Sequence, residues 1–418
     1  RSIWVTGVQT CALPIYSVKA DIADVGFQPV LSAPGLSGLS AHVQGTDAGG
    51  EIRLDMKNWQ MQLPRMFRTP LQAQSIRGVI AWEHDPAGLR LGSKELHVVS
   101  EDGRAQAAIE VTIPADGSSP TLDLNAQAQD LNAAATPRYL PVNKLTPKTL
   151  EWLDRAFVSG RVPQGQIIYK GPVRAFPFRH GEGEFIARGR VEDVTFDYQS
   201  GWLPATKLAA DVEFRNQGMK VTAGTANVGE LSVANLSGAF ADFKAGLIAV
   251  KAQASGDLGS ALKLLQTSPI KDAFGEAFQK LRGQGETRSS VELVLPLKQL
   301  ANRQVAVIAE LKNTTVSAEG VAAPITNLSG SLSVRQSLPD SASMRGQWLG
   351  GLLDIAVQSE SKNASLLTAR GHANAASLTA LLHLPPVAKV TGATDWRMTT
   401  RLEANYMEIG RASCRERV

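Results

Sequence analysis

The chain has 418 residues, of which 43% are hydrophobic and 20% are charged, a globular balance that excludes an intrinsically disordered protein. Its 43 basic and 39 acidic residues are spread along the sequence without a basic block, so the charge pattern gives no footprint for nucleic-acid binding. No stretch approaches the ~20 consecutive apolar residues that a membrane-spanning helix needs.

Both ends of the chain are similar to translated sequencing adapters. We therefore expect residues 1–15 and 408–418 to be artefacts, and the remainder to be an interior piece of a longer protein. The two cysteines of the chain, Cys11 and Cys414, lie in these ends. Without them the sequence offers neither a disulfide nor a cysteine metal site, which fits an oxidising compartment.

Alternation of apolar and polar residues predicts β-strands along most of the chain. In chain order the alternation recurs within 52–56, 107–113, 122–128, 208–214, 248–252, 291–297 and 353–357. Turn residues separate these runs at 116–117, 216–218, 244–246 and 350–351, a spacing typical of antiparallel meanders. A weak repeat, Asn-Leu-Ser-Gly at 235–238 and again at 327–330, is expected to open a strand pair each time. Such a repeat predicts an extended sheet built by addition of small β units.

Four short segments have helical patterns. The first begins at Thr146, an N-cap before Pro147, and covers about 146–158. The others cover 258–266, then 268–283 after a Ser-Pro start, and 376–384 before two prolines.

So few helices cannot cover the apolar faces of so many strands. Either two sheets pack face to face as a sandwich, or one sheet curls around other apolar material, for which a lipid chain would serve. The predicted fold is therefore mainly β, a long curled antiparallel sheet that forms a groove, with a few short helices.

Three chemical motifs favour structural interpretations. His180, Glu182 and Glu184 share one face of a predicted strand, but that face is expected to be the solvated one. Ser268 and Lys271 match the S-x-x-K of penicillin-binding serine enzymes, yet helix capping explains them and the partner motifs are absent. The tryptophans at 82, 152, 202 and 396 are expected to anchor packing. We predict no cofactor, no metal site and no enzymatic activity.

A series of short motifs in fixed order resembles the YhdP family of AsmA-like bacterial envelope proteins over about 16–407. The motifs are Tyr139-Leu140-Pro141, Trp152-Leu153, Gly160-Arg161-Val162, Phe176-Pro177-Phe178, Gly183-Glu184-Phe185, Tyr198 with Trp202, and the stretches 262–270, 293–297 and 347–351. One departure is Leu203, which separates Trp202 from Pro204 where the family tends toward Trp-Pro.

The resemblance implies a β-sheet groove in a large protein anchored in the inner membrane by an N-terminal helix upstream of this segment. Its body would extend through the periplasm and move phospholipid toward the outer membrane, with outer-membrane or periplasmic proteins as further partners. Nucleic acid is not an expected partner.

These observations lead to one leading prediction, a non-enzymatic lipid conduit. The residues predicted to line its groove are Leu208, Ala210, Val212, Phe214, Val250, Val291, Leu293 and Leu295. Three segments are expected: 16–135, a central AsmA-like segment at 136–285 with helices near 146–158 and 258–282, and 286–407. The alternative is a structural scaffold or tether of the cell envelope with a sealed β-sandwich core.

Overall fold

The computed structural model describes residues 17–30, 34–140, 142–271, 278–299, 302–321, 323–336, 338–374, 377 and 392–403. The adapter-like ends and the helix predicted at 376–384, apart from residue 377, lie outside these residues. Within the described part the chain forms twenty β-strands and two α-helices. The mainly β prediction is confirmed.

Most consecutive strands are joined by short connections, and two longer segments between strands hold the α-helices. The first ten are β1 Ser17–Phe27, β2 Gly35–Thr46, β3 Gly49–Gln62, β4 Leu71–Asp85, β5 Gly88–Ser100, β6 Gly103–Pro114, β7 Thr121–Asn132, β8 Phe157–Pro172, β9 Glu184–Phe196 and β10 Ala205–Arg215. The next ten are β11 Gly218–Val228, β12 Leu231–Phe240, β13 Leu247–Asp257, β14 Leu281–Pro296, β15 Gln304–Ala318, β16 Ile325–Arg335, β17 Leu338–Trp348, β18 Gly351–Ser361, β19 Ala364–Asn374 and β20 Ala393–Glu403. The α-helices are α1 Pro147–Ala156 and α2 Leu258–Thr267, and short 3-10 turns cover Ala133–Tyr139, Val142–Lys144 and Val173–Ala175.

All twenty strands belong to one sheet. Each strand from β1 to β8 pairs antiparallel with its successor, and so does each strand from β12 to β19. This order is a meander, in which consecutive strands are joined by tight turns such as the one at Pro86 and Ala87 between β4 and β5. The prediction of a long antiparallel sheet is thereby confirmed.

By their contacts the residues form two compact units. The first lies within Arg1–Phe196, Leu208–Val221 and Ala241–Lys244. The second lies within Asp197–Lys207, Thr222–Phe240 and Ala245–Val418. The predicted division into segments at 135 and 285 stays a prediction.

The two copies of the repeat lie within strands, at β-bulges, and do not open strand pairs as expected. Asn235 in β12 and Asn327 in β16 have φ angles of 51° and 52°, at points where the pairing with the next strand shifts. Asparagine tolerates this left-handed conformation because its short amide bonds locally. Here the amide nitrogens donate to Gln253 at 2.8 Å and to Gln347 at 3.0 Å, on the following strands.

Local capping explains where both helices begin. In α1 the hydroxyl of Thr146 accepts from the backbone N–H of Thr149 at 3.3 Å, and Pro147 takes the first helical position. In α2 the carboxylate of Asp257 accepts from the N–H of Gly259 at 2.8 Å. No helix among the described residues has the length and apolar character needed to cross a bilayer.

The helix predicted over 268–283 is wrong at its two ends, while residues 278–279 within it are helical. Ser268 ends α2, since its N–H and hydroxyl donate to the Leu265 carbonyl, and it does not begin a new helix. Residues 281–283 belong to β14, where they pair with Ala318, Ser317 and Val316 of β15. Pairing with the next strand outweighs the helical spacing of the apolar residues. The middle of this segment, 272–277, lies outside the described residues.

Candidate lipid-contacting face

The registers of the second unit bring four of the predicted groove residues together. Val250 of β13 pairs with Leu293 of β14. On either side of that pair, Ala252 faces Val291 and Ile248 faces Leu295. All of these side chains are half-buried. Residues two apart on a strand lie on the same face, so these three pairs form one apolar surface.

This surface continues across the next strands as a row of aligned side chains. Val291 pairs with Val307 of β15, and Val307 pairs with Val334 of β16. We call Ala252, Val291, Val307 and Val334 the second-unit row. Beside it, Leu293 pairs with Val305.

Sequence reasoning missed the contributions of β15 and β16 to this surface. In β15 the alternation is blurred, because Ala306 and Ile308 place apolar side chains on the other face as well. Ile308 is 51% exposed and faces Ser290 and Ser333, which shows that its side of the strand is the wet one. Taking every second residue from 305 to 311 predicts one strand face that includes Val305 and Val307. The pairing register with β14 then places these two residues opposite Leu293 and Val291.

The opposite face of these strands carries cross-strand ion pairs. Lys251 Nζ lies 2.9 Å from a carboxylate oxygen of Glu292, the residue directly opposite it. Arg345 and Arg370 flank Asp354 at 3.0 and 3.4 Å from β17 and β19. Exposed pairs of this kind contribute little to stability, but a slip of one residue would move every charge to the apolar face. They therefore fix which face meets water.

The other four predicted groove residues lie on β10, in the first unit. Ala210 is buried, Leu208 and Val212 are half-buried, and Phe214 is exposed. The alternate residues are charged: Asp211 pairs with Arg190 of β9 at 3.1 Å, and Glu213 with Arg215 at 3.1 Å. The alternation on which the prediction depended is present. That these eight residues contact lipid stays a prediction.

The first unit has its own aligned row of apolar side chains. Ile109 of β6 pairs with Leu124 of β7, then Tyr169 of β8 and Phe185 of β9, and all four are half-buried. We call them the first-unit row. The adjacent residues of the same strands, Glu110, Asp123, Lys170 and Glu184, form a charged row on the other face, with Lys170 Nζ 3.7 Å from Asp123.

Aromatic side chains close one end of the first-unit row. Phe178, 2% exposed, packs edge-on against Tyr169 with ring centroids 5.1 Å apart. Phe176 stacks on Tyr169 at 6.1 Å and meets the edge of Phe185 at 5.5 Å. Burial raises the pKa of Tyr169. The Phe-Pro-Phe motif thus serves packing against this face.

The other chemical motifs lack a catalytic arrangement. His180 and Glu182 lie in a turn, not on a strand as expected, because β9 begins only at Glu184. Glu184 instead pairs with Arg215 at 2.7 Å. Ser268 is 2% exposed and its hydroxyl donates to a carbonyl, while Lys271 is exposed. Among the described residues no group of three or more histidine, cysteine, aspartate or glutamate side chains could hold a metal ion.

The tryptophans that the structure describes make packing contacts. Trp152 meets the edge of Phe196 at a centroid distance of 5.9 Å, and Trp396 meets Trp348 at 5.3 Å. Trp82 donates to the Thr46 carbonyl at 3.3 Å. These contacts are those of anchors between neighbouring strands and helices.

Two comparisons with known proteins relate this chain to the same family. A profile described as YhdP protein matches residues 6–410. The Intermembrane phospholipid transporter YhdP of Escherichia coli (strain K12) is 23% identical over 338 residues, which cover 81% of this chain and 26% of that protein. The chain therefore spans about a quarter of the length of this relative. No solved structure matches the chain. Since the family profile covers nearly all of the sequence, the chain belongs to the YhdP protein family.

Proposed function

We propose that the chain is a section of a non-enzymatic conduit that moves phospholipid between the inner and outer membranes. The observation that carries this proposal is the pair of aligned rows: half-buried apolar side chains in register across successive strands, with charged rows on the opposite face. The name of the Escherichia coli relative, an intermembrane phospholipid transporter, supports the same function.

Acyl chains suit such a surface on energetic grounds. Removing one methylene from water is worth ~0.8 kcal/mol, so even a partly covered acyl chain is held by several kcal/mol. A surface of apolar side chains offers an acyl chain similar contacts at successive positions, so a lipid slides along it without a large barrier. No catalytic group is needed for this task.

The location and partners follow from the same proposal. The chain would extend through the periplasm from an inner-membrane anchor in another part of the protein, and outer-membrane or periplasmic proteins would receive the lipid. We propose no nucleic-acid partner and no cofactor.

One region favours the alternative, an envelope scaffold with a sealed core. In β18 and β19 several apolar residues are buried: Leu353 is 3%, Val357 4% and Ala369 5% exposed, while Ile355 between the first two is half-buried. A face sealed in this way would not hold lipid. If all apolar faces were closed like this one, the chain would only position other envelope components.

Site-specific photo-crosslinking within the full-length protein in cells separates the two functions. A photoreactive residue is placed at Val291 or Leu293 on the apolar face, and at Ser290 or Glu292 as neighbours on the polar face. Lipid adducts at 291 and 293 but not at 290 and 292 are expected of a conduit. A second set on β10 uses Val212 and Phe214 with Asp211 and Glu213. A folded protein without adducts at any of these positions would refute the conduit and leave the scaffold.

A further inference from the structure

A cavity of about 150 Å³ opens in the first unit, beside the turn between β5 and β6. Its walls come from four separate parts of the chain. Trp59 comes from β3, Ala73 from β4, Glu101 and Asp102 from the turn, and Arg138 with Tyr139 from the 3-10 turn that follows β7.

A buried carboxylate organises one wall of the cavity. Asp102 is 7% exposed, and both of its oxygens accept from Nη1 of Arg138, at 3.0 and 3.2 Å. The hydroxyl of Tyr139 donates to the same carboxylate at 2.9 Å. Burial and this hydrogen bond raise the pKa of Tyr139 to about 12, so the phenol stays protonated and acts as a donor. The wall is thus held by charge-assisted hydrogen bonds.

The guanidinium of Arg138 has N–H groups that form no hydrogen bond to a described residue. Its side chain is 55% exposed, and in the part of the chain that the structure describes only Nη1 makes hydrogen bonds. The N–H groups on Nε and Nη2 therefore remain available to an anion. Arginine binds phosphate well because these groups form a fixed planar fork.

The cavity also favours a cation. Glu101 is exposed and forms no ion pair with a described residue, so the lining carries two carboxylates and one guanidinium, an excess of negative charge. Trp59 and Tyr139 add two aromatic rings. Carboxylates and aromatic faces together attract an ammonium group.

The cavity adjoins a buried apolar cluster of the first unit. Ala73 lines the cavity and also belongs to the buried cluster of Met56, Ala73 and Ile76, against which Trp59 packs. A molecule with a polar head in the cavity would place an attached apolar chain along Leu54 and Val98, the half-buried residues that pack against this cluster.

We propose that this cavity binds the head group of a zwitterionic phospholipid, with its phosphate on Arg138 and its ammonium group near Glu101 and Trp59. This inference rests on the proposed function, since it takes the apolar face to hold the acyl chains. It adds a selectivity for head groups that carry both charges over head groups that carry only the phosphate.

Lipid capture by the purified chain tests the site. Vesicles contain equal amounts of tail-labelled phosphatidylethanolamine and phosphatidylglycerol, and the lipid recovered on the protein is measured. The unmodified chain is expected to prefer the zwitterionic lipid. Glu101→Gln should reduce this preference about two- to fivefold without lowering total capture. Glu110→Gln, an exposed carboxylate on the charged face of β6, is the matched control and should change nothing.

Arg138 is tested in the same assay. Arg138→Lys keeps the charge beside Asp102 but loses the planar fork, and should weaken capture of both phospholipids relative to tail-labelled diacylglycerol. Arg104→Lys, an exposed arginine at the start of β6, is its control. Soluble glycerophosphoethanolamine, offered alone, distinguishes a lipid site from a site for free head groups.

Each outcome decides the proposal. Loss of preference in Glu101→Gln with capture intact supports the head-group site. Equal capture of both lipids, or a preference that neither variant alters, overturns the site while the conduit stands. No capture of any lipid overturns both. Tight binding of glycerophosphoethanolamine without its acyl chains would overturn the assignment to lipid.

Discussion

Asparagine and aspartate occupy several of the points where the strands of this sheet bulge. The residues with positive φ include Asp24, Asn58, Asp130, Asp193, Asn235, Asn313 and Asn327, each within a strand. A bulge bends its strand and increases the local twist, so residue choice at these positions shapes the apolar face. Asn327 is an example: its backbone takes the left-handed conformation, and its side-chain amide donates a hydrogen bond to Gln347 on β17.

Replacing Asn327 tests the importance of this conformation. Asn327→Val should lower the free energy of unfolding by about 1–2 kcal/mol, because a branched side chain is strained at φ 52°. Asn327→Gly should cost less, since glycine adopts this conformation freely and only the amide bond to Gln347 is lost. Amide exchange in β16 and β17 measures the difference. Ser331→Val, on the exposed face of the same strand, is the control. Equal effects of valine and glycine would contradict the role of φ.

Tyr139 provides a prediction about pH. Its pKa is raised to about 12 in the folded chain, against about 10 for an ordinary phenol. Its protonated form thus stabilises the fold fully below pH 10, and this contribution is lost as the pH rises from 10 toward 12. The absorbance difference at the phenolate band between the native chain and Tyr139→Phe should show one phenol that ionises near pH 12. A midpoint near 10 in this difference would show that Asp102 and burial leave Tyr139 unperturbed.

At the scale of elements, alternation locates strands well where one face is charged. β13 and residues 291–295 of β14 follow the predicted alternation, because lysine and glutamate mark the wet face. The start of β14 was missed, since residues 281–283 have helical spacing but pair with β15, and pairing partners are remote in sequence. The sequence did not indicate the cavity at Asp102 for the same reason, because the walls of this cavity come from four segments that are distant in sequence.

Helix α1 is tied to the loop between β3 and β4 by one ion pair. Arg68 donates to both oxygens of Asp154, one of them at 2.6 Å, and the hydrogen bond lowers the pKa of Asp154 below its usual 3.8. The backbone N–H of Val142, in the turn before the helix, donates to the Met66 carbonyl at 2.8 Å. These contacts hold the segment 142–156 in place at this loop.

Removing that pair should loosen α1. Asp154→Asn is expected to speed amide exchange in 147–156 at neutral pH, while Glu151→Gln on the same helix leaves it unchanged. Because the folded pKa of Asp154 is lowered, the contribution of the pair is present above pH 3.8 and fades as the pH falls below it. The native chain and the Asp154→Asn variant should therefore exchange alike in strong acid. A difference that persisted there would assign the effect to something other than this carboxylate.

At the scale of the whole molecule, the two faces of the sheet have different roles. Cross-strand ion pairs lie on one face, and the same register aligns the apolar side chains on the other. Neither role requires the large buried core of an ordinary globular domain. Most of the apolar side chains in the two rows are accordingly only half-buried.

This division predicts opposite tolerances to charge on the two faces. Lysines at Val291 and Leu293 would interrupt the second-unit row with two charges that an acyl chain cannot solvate. Phospholipid recovered from tail-labelled vesicles should fall at least about tenfold, which corresponds to ~1.4 kcal/mol. Because both positions are half-buried, the lysine stems can reach water and the fold should survive, as the far-ultraviolet circular dichroism would show.

The matched variant carries lysines at Ser290 and Gln284, exposed positions on the other face of β14, and should capture lipid like the native chain. Equal losses in both variants would mean that added charge, and not the aliphatic row, governs lipid capture.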